Sequence, residues 1–140
     1  MNLARILVVD DNTADVNLLR LALDQQREEY VLEVLESGEA ALHFIKEHRG
    51  GLHGPDPCVI LLDLHLPKYD GLAILHAIRQ APVLAHIHVI VLSGMASPTE
   101  KHKIATMGAS YRQKPFDLRE YLELGGEIMA ICQSASAVAA

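Results

Sequence analysis

Short aliphatic runs alternate along the chain with stretches whose apolar residues recur at helical spacing. "RILVVD" (5–10), "YVLEVLE" (30–36), "CVILLD" (58–63), "HVIVLS" (88–93) and "SYRQK" (110–114) predict strands. The first, third and fourth are nearly continuous β-branched and leucine runs, as expected for a parallel sheet covered on both faces. The second alternates more, and the last is polar enough for a sheet edge. Helices are predicted over 13–26, 38–48, 72–80, 98–107 and 117–132. Their starts are marked. Ser97, Pro98 and Glu100 form a capping box with proline at the first helical position. Asp117 and Glu120 repeat that logic, with Phe116 placed to staple onto Tyr121, and Asn12 or Thr13 can cap the first helix. Five βα units in succession imply a doubly wound parallel sheet with right-handed crossovers.

Length and charge narrow the picture further. At 140 residues the chain suits one domain with one sizeable core. The 49–57 segment reads as a long αβ loop, too short to separate domains, and 133–140 as a frayed helix extension or a disordered tail. No apolar run approaches the ~20 residues of a membrane span, and the first residues lack a secretory cleavage pattern. A cytoplasmic protein is expected. Twelve basic against 18 acidic residues, a net charge of −6, argue against a nucleic-acid surface. Cys58 and Cys132 have neither CxxC nor zinc-ligand spacing and read as small apolar residues rather than a disulfide.

Ligands of such a sheet bind beyond the carboxyl ends of its strands. There the first strand delivers Asp10 and Asp11, the third Asp63, the fourth Ser93 and the fifth Lys114. Clustered carboxylates either raise a pKa or recruit a cation. Mg²⁺ suits one or two carboxylates with waters and phosphate oxygens. Ser93 and Lys114 add a hydrogen bond and a positive charge for an incoming anion. These are the parts needed to transfer a phosphoryl group onto a carboxylate.

The set Asp10–Asp11, Asp63 in "LLDLHLPKYDG", Ser93 in "VIVLSG" and Lys114 in "KPF" resembles the receiver domain of two-component response regulators, from Leu3 to about Cys132. The resemblance implies a flavodoxin-like fold of five strands in the order 2-1-3-4-5, with five helices. It implies that Asp63 accepts the phosphoryl group of a sensor histidine kinase, without the chain being an enzyme in the ordinary sense. Asp11, Asp63 and the backbone carbonyl of His65 would bind Mg²⁺, with Asp10 acting through a metal-bound water. Lys114 would pair with the phosphoryl oxygens, and the Lys114–Pro115 bond would be cis. Ser93 and Tyr111 would turn inward as switch residues, biasing the surface of the fourth helix, fifth strand and fifth helix. His65 and Met95 depart from the commoner residues at two positions that flank the phosphoryl group and tune its lifetime.

Taken singly, each motif has a plain structural explanation. Asp10–Asp11 could cap a helix, Asp63 could form a turn, and Lys114 could be a surface lysine. Independent caps and turns need not converge on one sheet edge. His86 and His88 could chelate a metal from one strand face but lack a third ligand; His43, His48, His53, His76 and His102 read as scattered surface residues. With no effector domain in view, output would be protein–protein: a bound target, a second phosphotransfer domain, or drainage of phosphate from the kinase. The 49–57 loop, "LPKYDGL" and "AIRQAPVLAHIHVIVLS" are similar to regulators paired with phytochrome-type kinases, which favours a homodimer through the fourth-helix to fifth-helix face. Two rivals share parts of the pattern. A haloacid-dehalogenase-type phosphohydrolase wants a carboxylate two residues after its nucleophile, where His65 stands. A flavodoxin-like cofactor binder wants a phosphate loop where "DDNTAD" stands.

Overall fold

The computed structural model describes residues 3–48 and 56–139, with side chains described as far as Ala135. Most of the 49–57 loop, His53 included, lies outside the described residues. The elements run β1 (Ala4–Val9), α1 (Thr13–Asp24), β2 (Tyr30–Leu35), α2 (Gly38–Glu47), β3 (Val59–Asp63), β4 (His65–Leu66), β5 (Tyr69–Asp70), α3 (Gly71–Gln80), β6 (His88–Ser93), α4 (Pro98–Thr106), β7 (Ser110–Gln113) and α5 (Leu118–Ala139). Five strands form one parallel sheet in the order β2-β1-β3-β6-β7. Counting sheet strands alone, this is the expected 2-1-3-4-5. Among the described residues no helix is long and apolar enough to cross a membrane.

The aliphatic runs are continuous because alternate residues serve two cores. Leu7, Val9, Ile60, Leu62, Val89 and Val91 face α2, α3 and Ile104 of α4. Ile6, Val8, Val59, Leu61, Ile90 and Leu92 face α1 and α5, against Leu19, Leu23, Leu124 and Ile128. Period-two alternation sends successive side chains to opposite faces, so a strand covered on both sides needs apolar residues throughout. β3 shows this most fully, each of its residues being buried, Asp63 included.

Helix starts follow the sequence signals. Asn12, not Thr13, caps α1, accepting from Asp15 N–H at 3.1 Å. The Ser97–Glu100 capping box is complete in both directions. At α5, Asp117 accepts from Glu120 N–H, while the Glu120 carboxylate accepts from Phe116 N–H at 2.7 Å. The Phe116–Tyr121 staple does not form: Tyr121 turns into the α1–α5 core and Phe116 is 83% exposed. α5 continues past Cys132 to Ala139, so the stretch after 132 extends the helix.

Two features escaped the sequence patterns. "HLPKYD" folds as a miniature hairpin, β4 pairing antiparallel with β5. Pro67 and Lys68 make its turn, and Lys68 takes φ 66° where a type II turn requires a positive value. Gly71 follows, and a Cβ there would stand 2.6 Å from the Leu64 carbonyl oxygen, so only glycine lets the hairpin fold back on the end of β3. The second feature is a disulfide between Cys58 and Cys132, which corrects the reading of both as unpaired. Helices of a parallel sheet run back against the strands. The later turns of α5 therefore return to the start of β3, and a sequence separation of 74 becomes a Cα–Cα distance of 5.2 Å. His48 likewise departs from its surface assignment: it is buried, stacked on Phe44 with its Nδ1 at 3.1 Å from the Phe44 carbonyl.

Arg79, which carries no motif, joins the C-terminal ends of α3 and α4. Its guanidinium donates to the carbonyls of Met107 (2.7 Å), Ala85 (3.2 Å), Ile87 (2.8 Å) and Gly108 (3.1 Å). A lysine cannot reproduce that fan of donors. Arg79→Lys should lower the free energy of unfolding by about 2 kcal/mol in a urea titration. Reduction of the disulfide should cost about 2–4 kcal/mol by the same measurement, and Cys132→Ser should then show no further loss under reductant.

Candidate functional site

Parallel strands end at one edge, and the chemistry gathers there. Asp63, the last residue of β3, is 7% exposed; its Oδ1 accepts from His65 N–H at 3.2 Å and its Oδ2 faces Lys114 Nζ at 3.2 Å. Asp10, just beyond β1, is also buried and accepts from Asn12 N–H at 2.9 Å. Lys114 arrives from β7, its backbone N–H donating to the Ser93 carbonyl at 3.0 Å. Its ammonium lies 3.3 Å from Asp10 Oδ2, 3.2 Å from Asp63 Oδ2 and 2.9 Å from Asp15 Oδ2.

Asp15 was not anticipated, yet it is the nearest partner of Lys114. The available signal was helical spacing: Asp15 lies in the first turn of α1, four residues after Asp11, and Asn12 aims that turn at the strand ends. The acids also act on Tyr121, a buried phenol pushed up to about 12 by burial, with the neighbouring Asp15 contributing. Burial raises the Asp10 pKa above the ordinary carboxylate value, outweighing the Asn12 N–H and the Lys114 charge that favour ionisation. For Lys114 burial opposes the charge, but the surrounding Asp15, Asp10 and Asp63 win and the net shift is upward.

The donor set fits a hard divalent cation. Asp10, Asp11 and Asp63 each offer a carboxylate oxygen, all within 4.8 Å of one another. Two are buried and engaged, whereas Asp11 is exposed and makes no hydrogen bond or ion pair among the described residues, so its carboxylate is free for a ligand. All-oxygen, carboxylate-rich sets suit Mg²⁺, Mn²⁺ or Ca²⁺ over softer metals. His86 and His88 join no group of three possible ligands among the described residues. They line a groove of about 760 Å³ at the opposite end of the sheet, with Cys58, Ser110 and Glu127.

Ser93, the last residue of β6, is 1% exposed, and its hydroxyl is engaged within the protein. It donates to the Met95 carbonyl at 2.6 Å, accepts from Met95 N–H at 3.1 Å, and lies 3.1 Å from His65 Nδ1. The Met95 side chain is 81% exposed. Tyr111 is half-buried; its hydroxyl donates to the Ser93 carbonyl at 3.2 Å, and the Lys101 ammonium sits 5.2 Å from its ring centre. The Lys114–Pro115 peptide, expected cis, is trans, as are all peptides among the described residues. Proline narrows the gap between the isomers without removing the trans preference, and Lys114 reaches its three acids from a trans bond.

Residues 6–124 match the family model described as the response regulator receiver domain. Response regulator Rcp1 of Synechocystis sp. (strain ATCC 27184 / PCC 6803 / Kazusa) is 40% identical over 88 residues, which span 63% of this chain and 60%, under two thirds, of that relative. The crystal structure of the Mn²⁺-bound form of Rcp1 superposes with a TM-score of 0.77 at 31% identity, covering 89% of this chain and 91% of that one. The phosphorylated cyanobacterial phytochrome response regulator RcpA gives a TM-score of 0.82 at 27% identity over 96% of both chains. The haloacid-dehalogenase alternative finds no support in these similarities. With its fold, its strand-end residues and the family match in agreement, the chain is a response regulator receiver domain, homologous to phytochrome response regulators.

Proposed function

We propose that Asp63 accepts a phosphoryl group from the phosphohistidine of a sensor kinase, with Mg²⁺ as the cofactor. The observation that carries this reading is the buried Asp63 carboxylate, 3.2 Å from the Lys114 ammonium and beside two further acids. A carboxylate oxygen attacks phosphorus, the O–P bond forms as the N–P bond of the donor breaks, and the departing imidazole takes up a proton. Lys114, held charged by its three acids, is placed to follow the phosphoryl oxygens. Asp11, Asp63 and the His65 carbonyl would hold the metal ion, with Asp10 acting through a water. When bound, the ion supplies positive charge that offsets the carboxylates and the incoming phosphoryl oxygens. The Mn²⁺-bound form of Rcp1 and the phosphorylated state of RcpA support this reading.

The similarity to Rcp1 and RcpA also favours a phytochrome-type kinase as donor. Such a donor is charged from nucleotide inside the cell, which favours a cytoplasmic location for the receiver. Ser93 and Tyr111 would carry the switch, and His65 and Met95 would tune the phosphoryl lifetime. Output would pass by protein contact to a downstream protein or phosphotransfer domain, with residues 1–132 as the receiver and 133–140 as its C-terminal tail. The α4–β7–α5 face, with Leu118 exposed at the start of α5, is the surface we assign to a homodimer.

Incubation with acetyl phosphate and Mg²⁺ should add one phosphoryl mass to the intact protein. Asp63→Asn should abolish the addition, and Lys114→Ala should slow it about a hundredfold. Undiminished labelling of Asp63→Asn would overturn the proposal. A second expectation concerns stability. Because its folded-state pKa is raised, Asp10 contributes a cost that is absent below the unfolded value of 3.8 and grows as pH rises through the folded value. Asp10→Asn should therefore stabilise the metal-free protein by about 1 kcal/mol at neutral pH, with the gain vanishing in acid. Millimolar Mg²⁺ should raise the thermal midpoint of the wild type and raise that of Asp10→Asn less.

A further inference from the structure

His65 and Glu100 are the two side chains near the site whose contacts the phosphotransfer chemistry leaves unexplained. The imidazole of His65 stands between two elements far apart in sequence. Its Nδ1 is 3.1 Å from Ser93 Oγ at the end of β6, and its Nε2 is 3.4 Å from Glu100 Oε2 in the first turn of α4. The other Glu100 oxygen, Oε1, accepts from Ser97 N–H at 2.8 Å and so completes the α4 capping box. One carboxylate thus anchors the start of α4 and the His65 ring together.

The single proton of the Ser93 hydroxyl is already committed. A serine hydroxyl offers one donor and two acceptor sites. The donor goes to the Met95 carbonyl, one acceptor site takes Met95 N–H, and His65 Nδ1 stands 3.1 Å from the same oxygen. Among the described residues none of these bonds reaches Asp63. To donate to a phosphoryl group on Asp63, the hydroxyl must leave that arrangement and with it the imidazole.

We infer that His65 and Glu100 are positioning residues: they latch the Ser93 hydroxyl outside the phosphoryl site, and release of the latch reports occupancy of Asp63 to the start of α4. The inference rests on the phosphoacceptor reading and adds the route by which α4 senses it. It also gives His65 a function beyond its bulk, since a side chain that merely crowded the site would act without Glu100 or Ser93.

The test has two readouts. In the metal-free protein, the ¹⁵N resonances of the His65 ring should shift on Ser93→Ala and on Glu100→Ala; a ring insensitive to both overturns the latch. Affinity for beryllofluoride with Mg²⁺, a mimic of the acyl phosphate, is then measured by titration. His65→Ala and Glu100→Ala should each tighten binding about threefold, and the double variant should match the single ones. Ser97→Ala, which removes the cap without touching His65, should leave the affinity unchanged. In a Ser93→Ala background, His65→Ala should have no effect. Equal gains from Ser97→Ala and Glu100→Ala, or a His65→Ala effect that persists without Ser93, overturn the latch. A wild type that binds no beryllofluoride overturns the phosphoacceptor reading instead, and the ring resonances still decide the latch.

Discussion

A single ammonium group organises the reactive edge of this sheet. Lys114 stands within hydrogen-bonding reach of Asp10, Asp15 and Asp63, which come from the end of β1, the first turn of α1 and the end of β3. Without it, buried acids would face one another across a region too dry to screen them. With it, the edge is held by one positive charge against three negative ones, and Asp11 adds a fourth at the rim. The site is therefore neutralised only in part. That residual negative charge attracts a cation, and the fixed lysine offers an anion its counterpart.

The fold is built to hold this arrangement. Apolar packing on both faces immobilises β3 along its whole length, so Asp63 is positioned by the sheet rather than by its own hydrogen bonds. Beyond Asp63 the chain is fixed again by backbone: Leu64 N–H donates to the Leu92 carbonyl at 2.9 Å, and Gly71 N–H donates to the Leu64 carbonyl at 3.0 Å. The groups proposed as the switch are held differently. The side chains of Ser93, Tyr111, His65 and Glu100 are linked by polar contacts, which can be exchanged at little net cost.

Much of this was legible in the chain. The strands, the helix starts and the convergence of Asp10, Asp11, Asp63 and Lys114 on one edge follow from periodicity and the rules of parallel sheets. What was hidden depends on contacts between distant segments. Asp15 went unmarked and Glu100 read as a capping-box acid because a helix signal gives a side chain's place but not what faces it. The Cys58–Cys132 pair looked inert because its spacing matches no local motif; only the return path of α5 brings the sulfurs together. The β4–β5 hairpin is too short for any periodic signal, and Arg79 is recognisable only once the carbonyls around it are in place.

The disulfide also bears on the order of events during synthesis. Cys58 enters the first half of the protein made, whereas its partner lies in the last helix, 74 residues later. On a ribosome the bond cannot close until Cys132 has been made, after every strand of the sheet. In a reducing compartment the same fold must form and hold without it.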